Sequence, residues 1–212
     1  MDTSEDVYSR LMSSIALDKA PLEIFCDWLH EAERYEKDHN AMAFATVDNM
    51  SRPNVRMLLV KSVTDNGIIF FTNLNSKKGQ ELQCNPFCSA VIHWKSLGRQ
   101  VRFRGTHSLI SSIESDEYFK GRHKTSKVGA MISQQSNVMI SRKDFESQID
   151  KCVQTYPENI SRPPSWHGIS LIPNEIEFWI EKKFRLHYRV LLTKYETQQC
   201  NQPRWNMQEL YP

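Results

Sequence analysis

The chain is a series of short segments in which polar and apolar residues alternate with a period of two, and this constrains the fold more than any other feature. Strands are predicted at 41–47, 54–61, 67–72, 87–94 and 99–108, then at 169–172, 175–179, 186–192 and a short 204–207. Thr64-Asp-Asn-Gly67 is a hairpin signal, since Asn-Gly takes the backbone angles of a tight turn at low cost. Helical periodicity appears between these segments at 77–84, 111–122, 126–132 and 142–156. Pro21 opens a further helix to about residue 35, with Ile24, Phe25, Trp28 and Leu29 as its apolar stripe. Strands in hairpin order with helices between them imply an antiparallel barrel within an α+β fold. Residues 1–20 read as a polar, aperiodic and mobile N-terminal arm, and 21–212 as a single domain.

Composition excludes several classes of function. A net charge of +2 rules out a nucleic-acid sponge or a membrane-surface binder. No apolar run approaches the length needed to span a bilayer, and the acidic N-terminus has no secretory h-region. The five cysteines form an odd, scattered set without zinc-ligand spacing, so no metal site is expected. They read as reduced, mostly buried thiols of a cytosolic protein.

Five segments carry chemistry. In Phe184-Arg-Leu-His-Tyr-Arg189, continued alternation from 175–179 would put Arg185, His187 and Arg189 on one sheet face, where they would repel each other unless a ligand sat against them. Arg56-Met-Leu-Leu-Val-Lys61 is a weak signal, because strict alternation puts its two cations on opposite faces. In Asn75-Ser-Lys-Lys-Gly79, Asn75 or Ser76 caps a helix and leaves Lys77 and Lys78 in its first turn. Cations there oppose the helix dipole, a placement that makes sense if an anion such as phosphate is held between them. The run Arg99-Gln-Val-Arg-Phe-Arg104 sets Arg99, Val101 and Phe103 on one face, with Gln100, Arg102 and Arg104 on the other. Finally, Tyr118, Arg122 and Ser126 at successive i+4 positions can form a second phosphate clamp, the alternative being an ordinary helix C-terminus.

The order of these segments resembles the pyridoxine (pyridoxamine) 5′-phosphate oxidase family, the FMN enzymes of vitamin B6 metabolism. The matching elements include Arg56-Met-Leu-Leu-Val-Lys61, Phe71-Thr-Asn73, Ser76-Lys-Lys-Gly79 and Gly98-Arg-Gln-Val101. Further along come Ser133-Gln-Gln-Ser136, Arg162-Pro-Pro164 with Trp166, Ile176-Glu-Phe-Trp179 and Arg185-Leu-His187 with Arg189. The resemblance implies an FMN-binding split β-barrel, antiparallel and Greek-key-like, with peripheral helices and FMN at the interface of a homodimer. It implies FMN contacts from Arg56, Met57, Leu58, Leu59, Lys61, Thr72, Lys77, Lys78, Gln100, Gln135, Ser136, Trp179 and Arg189. The substrate would be bound by Lys61, Tyr118, Arg122, Ser126, Arg185, Leu186 and His187, with Arg185 and His187 at the catalytic ring. The implied reaction oxidises pyridoxine or pyridoxamine 5′-phosphate to pyridoxal 5′-phosphate with O2, releasing H2O2.

The chain departs from the family pattern at several positions. Tyr188 replaces an Asp, Phe71 a Tyr, Lys77 an Arg and His167 a Gly, and Glu209 stands where the terminal motif has Arg. Tyr188 is expected to point away from the ligand face. These departures leave open a second reading, a paralogue that carries or senses FMN or pyridoxal 5′-phosphate, and a third, an oxidase of the phenazine-pathway type.

Overall fold

The computed structural model describes residues 3–195 and 204–212, so Met1, Asp2 and Cys200 lie outside the described residues. Two helices, α1 (Ser4–Ala16) and α2 (Pro21–Ala32), precede strands β1 (Ala41–Val47), β2 (Pro53–Leu59), β3 (Ser62–Thr64) and β4 (Gly67–Asn73). Helix α3 (Lys77–Cys84) leads to β5 (Phe87–Trp94) and β6 (Arg99–Leu109). Helices α4 (Ser112–Lys120), α5 (Lys124–Ile132) and α6 (Arg142–Thr155) come next, then β7 (Trp166–Ile180), β8 (Tyr188–Tyr195) and β9 (Arg204–Glu209). All the pairings are antiparallel, in the order β2-β1-β5-β6-β7-β4-β3, with β8 and β9 continuing from β7. The curled sheet with its surrounding helices is the expected α+β split barrel.

The core follows from the alternation. Met42 and Phe44 on β1, Ile92 on β5, and Val101 and Phe103 on β6 all turn inward. Helix α2 closes one end by setting Phe25 against Phe103, ring centroids 4.8 Å apart, and Trp28 edge-on to Phe178 at 5.0 Å. Such pairs add roughly 0.5–1.5 kcal/mol beyond the area they bury.

Strand β7 organises the molecule. Two strands were expected around Pro173, and the structure has one. Its first half pairs with β4 as far as Leu171 and its second half with β8 from Glu175, so Pro173 sits where that edge has no partner and its missing N–H costs no ladder bond. Where β7 passes Arg104 and Gly105 of β6 the register shifts, leaving Asn174 of β7 as the extra, bulged residue. A Cβ on Gly105 would lie 2.0 Å from the Ile172 carbonyl, so only glycine fits there.

Three expectations need correction. Residues 4–16 form a capped helix rather than an aperiodic arm: Thr3 and Asp6 make a capping box, and Val7 and Leu11 are buried in the main core. The strand predicted from residue 186 begins only at Tyr188. Phe184 and Arg185 have φ of +59° and +61°, which breaks the alternation before Arg185 and His187. Of the described cysteines only Cys88 is fully buried, and burial pushes its thiol up to about 12; Cys84 is exposed.

Candidate active site

At the start of α3 the chain builds a cradle around Lys78. Ser76 caps the helix, its hydroxyl accepting from the Gly79 amide, and this leaves Lys77 exposed and turns Lys78 inward. The Lys78 ammonium donates to Thr72 Oγ1 at 3.0 Å, Ser76 Oγ at 3.1 Å and Gln135 Oε1 at 2.9 Å. All three acceptors are neutral. Burial, and then the positive charge of Arg56, push Lys78 down to about 8, with Glu81 partly opposing. Glu81 is itself occupied. It takes hydrogen bonds from Thr46, Asn54 and Arg56, which outweigh the upward push of burial and hold its carboxyl below the usual value. Arg56 is therefore a braced wall cation, with both terminal nitrogens engaged by Phe44 O, Thr46 and Glu81.

A second cationic site lies beside the first. Phe71, next to Thr72 on β4, stacks on Tyr118 at 3.9 Å and on Trp166 at 4.9 Å. Arg122 lies over the Trp166 ring at 4.8 Å, and its buried Nε has no hydrogen-bond partner among the described residues. Burial pushes its guanidinium below the usual value, with Tyr118 partly opposing. Ser126 joins this group only through its carbonyl, at 3.5 Å from Arg122, and is exposed.

A third group occupies the far end of β7. His93, Gln100, Trp179 and Arg189 stand in register across β5, β6, β7 and β8. His187 packs against Trp179 with centroids 4.5 Å apart, and its Nδ1 accepts from the Lys182 amide at 3.1 Å. Arg189 donates from Nε to Glu177 at 2.8 Å and from a terminal nitrogen to the Tyr211 carbonyl at 3.0 Å. Glu177 holds Arg189 above its usual value. Trp166 and Trp179 begin and nearly end β7, a contour of roughly 40 Å at about 3.3 Å per residue, shortened by the strand's curl.

The remaining predicted residues are spread around these groups. Met57 and Leu59 point outward from the edge strand β2, Leu58 packs on the core, and Lys61 is exposed beyond the strand end. Ser136, with φ +76°, turns the chain beside Gln135. Arg185 and Leu186 are exposed. Of the departures, Phe71 enters the aromatic stack, His167 Nδ1 meets Ser115 Oγ at 3.2 Å, and Tyr188 stacks on Tyr8. Phe71, Ser76 and Trp166 are site residues that sequence reasoning did not select. Their signal was adjacency, to Thr72, to Lys78 and to the Arg162-Pro-Pro run, whose Arg162 donates to the Trp166 carbonyl at 2.6 Å.

Residues 29–156 match the family model described as pyridoxamine 5′-phosphate oxidase, and 166–212 match the pyridoxine 5′-phosphate oxidase C-terminal dimerisation region. The chain belongs to this oxidase family. A pyridoxine/pyridoxamine 5′-phosphate oxidase from Rhodopseudomonas palustris (strain HaA2) is 42% identical, covering 100% of this chain and 99% of its own. Its counterpart from Bartonella quintana (strain Toulouse) is 44% identical over 91% of this chain and 92% of its own. Among solved structures, PhzG from Burkholderia lata 383, in complex with tetrahydrophenazine-1-carboxylic acid, has a TM-score of 0.82 at 27% identity and covers 91% of this chain and 92% of its own. A pyridoxamine 5′-phosphate oxidase-related, FMN-binding protein from Nostoc punctiforme PCC 73102 has a TM-score of 0.74 at 17% identity, covering 91% and 98%, and so shares the fold. The protein is thus an enzyme of an oxidase family.

Proposed function

We propose that the protein is a homodimeric, FMN-dependent oxidase that converts pyridoxine or pyridoxamine 5′-phosphate into pyridoxal 5′-phosphate. The observation that carries this reading is a pair of cations, the buried Lys78 and the half-buried Arg122, neither with a carboxylate at ion-pair distance among the described residues. An interior cation with only neutral partners is costly, and a bound anion relieves that cost. Two adjacent sites of this kind suit a cofactor and a substrate that each carry one phosphate. Lys78, Thr72, Ser76 and Gln135 would hold the FMN phosphate, and Tyr118 and Arg122 that of the substrate, with Lys61 and Ser126 at the margin. When bound, FMN supplies a two-electron acceptor that O2 can regenerate, releasing H2O2.

The platform of Gln100, Trp179, His187 and Arg189, with Arg185 and Leu186 on the adjoining loop, would orient the rings. Because Nδ1 of His187 accepts from the Lys182 amide, a neutral His187 carries its proton on Nε2 and offers it as a donor. The platform and the cradle sit at opposite ends of β7, so one complete site needs the cradle of one protomer and the platform of its partner. The family's dimerisation region, which contains Trp179, His187 and Arg189 of that platform, supports this arrangement. PhzG's ligand is a phosphate-free carboxylic acid by name, and the Tyr118–Arg122 site favours a phosphorylated substrate instead.

The test is to record the visible spectrum of the purified protein and then add pyridoxine 5′-phosphate in air. We expect a yellow protein that produces peroxide. Binding of FMN and pyridoxal 5′-phosphate with no peroxide from either phosphorylated vitamer would replace the oxidase by the carrier.

A further inference from the structure

Helix α1 touches both ends of the loop that carries Arg185 and His187. At its base, Ser4 Oγ donates to the Glu181 carbonyl at 2.6 Å, while the Glu181 amide donates to Gly98 O at 2.7 Å. One residue on, Lys182 pairs with Glu5 at 3.2 Å and donates to the Tyr188 hydroxyl at 2.6 Å. At the far end, the Tyr8 ring stacks on the Tyr188 ring with centroids 4.3 Å apart and planes 16° from parallel. Between these anchors the backbone is in a conformation it would not choose alone. Phe184 and Arg185 are consecutive non-glycine residues at positive φ, and the Phe184 side chain is 90% exposed, so its own burial does not compensate. The helix itself is fixed from behind by Val7 and Leu11 in the core. Contacts from α1 therefore add to the loop's own two bonds, from the Leu186 amide to the Lys183 carbonyl and from the Lys182 amide to His187 Nδ1, in holding its shape.

We propose that α1 is a strap that sets the loop's geometry, and that Tyr8 and Tyr188 are positioning residues for Arg185 and His187. Neither tyrosine touches the ligand groups; both act through the Lys182–Tyr188 end of the loop, whose Lys182 amide orients the His187 ring. The proposal rests on the reading of Arg185 and His187 as the groups that orient the substrate ring. It also gives the N-terminal helix a task in catalysis that does not require it to contact substrate.

The experiment uses the full-length protein as purified and reads two quantities. One is the rate of amide hydrogen exchange at residues 183–188, and the other is the split between kcat and KM with pyridoxine 5′-phosphate. Tyr8→Ala is expected to speed exchange in the loop by roughly tenfold, because an anchored segment opens more often once an anchor goes. kcat should fall by about tenfold, with KM and flavin content little changed, because the loop orients the ring rather than the phosphate. Tyr8→Phe keeps the stacked ring and should match wild type in both readouts. Ser4→Ala, which leaves the core untouched, should show a smaller rise in exchange. Unchanged exchange in Tyr8→Ala and Ser4→Ala would overturn the strap, and faster exchange with unchanged kcat would overturn the positioning role. If wild type makes no peroxide, the oxidase reading fails, and the exchange measurement alone decides whether α1 holds the loop.

Discussion

At the Trp166 end of β7, Lys78 sits in the first turn of a capped helix and Arg122 in the short turn between α4 and α5, whereas at the Trp179 end Arg185 rides on a loop with two residues at positive φ. The cradle is local. Ser76 caps the helix that carries Lys78, Thr72 lies a few residues upstream, and Gln135 alone comes from afar. The ring loop depends on contacts with residues some 180 positions away in sequence, on α1. The difference teaches how two demands are met. A phosphate needs fixed charge and donors, which a helix N-terminus and a buried lysine would supply. Orienting a ring above a second ring needs an adjustable shape, here built from a loop and held from outside.

The largest effects should separate the two ends. Lys78→Met is expected to weaken FMN binding by roughly a hundredfold, since charge-assisted hydrogen bonds contribute about 1.5–3 kcal/mol each. Titration of the apoprotein by flavin fluorescence checks it. The same site predicts a pH dependence. With Lys78 pushed down to about 8 in the free protein, a bound phosphate would raise it again by favouring the charged form. FMN affinity should therefore be flat just below pH 8 and fall by up to about tenfold per pH unit above it, until the raised value of the complex is passed. In Lys78→Met this slope should vanish. A slope that survives would assign the titration to another group.

Substrate kinetics should show a split of similar origin. Arg185→Ala is expected to lower kcat by on the order of a hundredfold, because a misplacement of about 1 Å at the reacting centre costs that much. Arg122→Ala should instead mainly raise KM, by about tenfold or more, the equivalent of one charge-assisted bond. Flavin occupancy should survive both. If Arg122→Ala lowers kcat and leaves KM alone, the clamp does not hold the phosphate.

The smallest expected effect concerns Lys77. It is exposed at the first helical position, beside rather than inside the cradle. Lys77→Arg should tighten FMN by about 1 kcal/mol, because a guanidinium fork makes two bonds where an ammonium makes a point contact. Unchanged affinity in the same titration would show that residue 77 stays in solvent.

Much of this arrangement could be read from the residues, and the exceptions have identifiable causes. The strand faces of 99–104 follow directly from alternation: Arg99, Val101 and Phe103 are buried while Arg102 and Arg104 face outward. The first turn of α3 was legible because a Ser cap and an unfavourably placed lysine pair are local signals. Four features were not legible, two for local reasons and two because they depend on other elements. Helix α1 has only Val7 and Leu11 fully buried, too sparse a pattern to stand out against its charged residues. Arg56 is braced by Glu81 from another element, a contact that alternation along β2 does not reveal. Ser126 shares a helical spacing with Arg122, but the turn at Gly121 and His123 starts a new helix and leaves its side chain exposed. The shared face of Arg185, His187 and Arg189 failed because positive φ at two ordinary residues is imposed from outside the segment.

The central claim is that cradle and platform, at opposite ends of β7, complete each other only between two protomers. Mixing two inactive variants tests it most directly. Lys78→Met damages only the cradle and Arg185→Ala only the platform loop, so a heterodimer of the two carries one doubly damaged site and one intact site. After the two are unfolded together and refolded with FMN, random pairing makes about half the dimers heterodimers, each with one working site of two. We expect about a quarter of wild-type peroxide production with pyridoxine 5′-phosphate, far above either variant alone. Activity no higher than that of the separate variants, in a mixture shown to contain heterodimers, would mean that each site is built within a single chain.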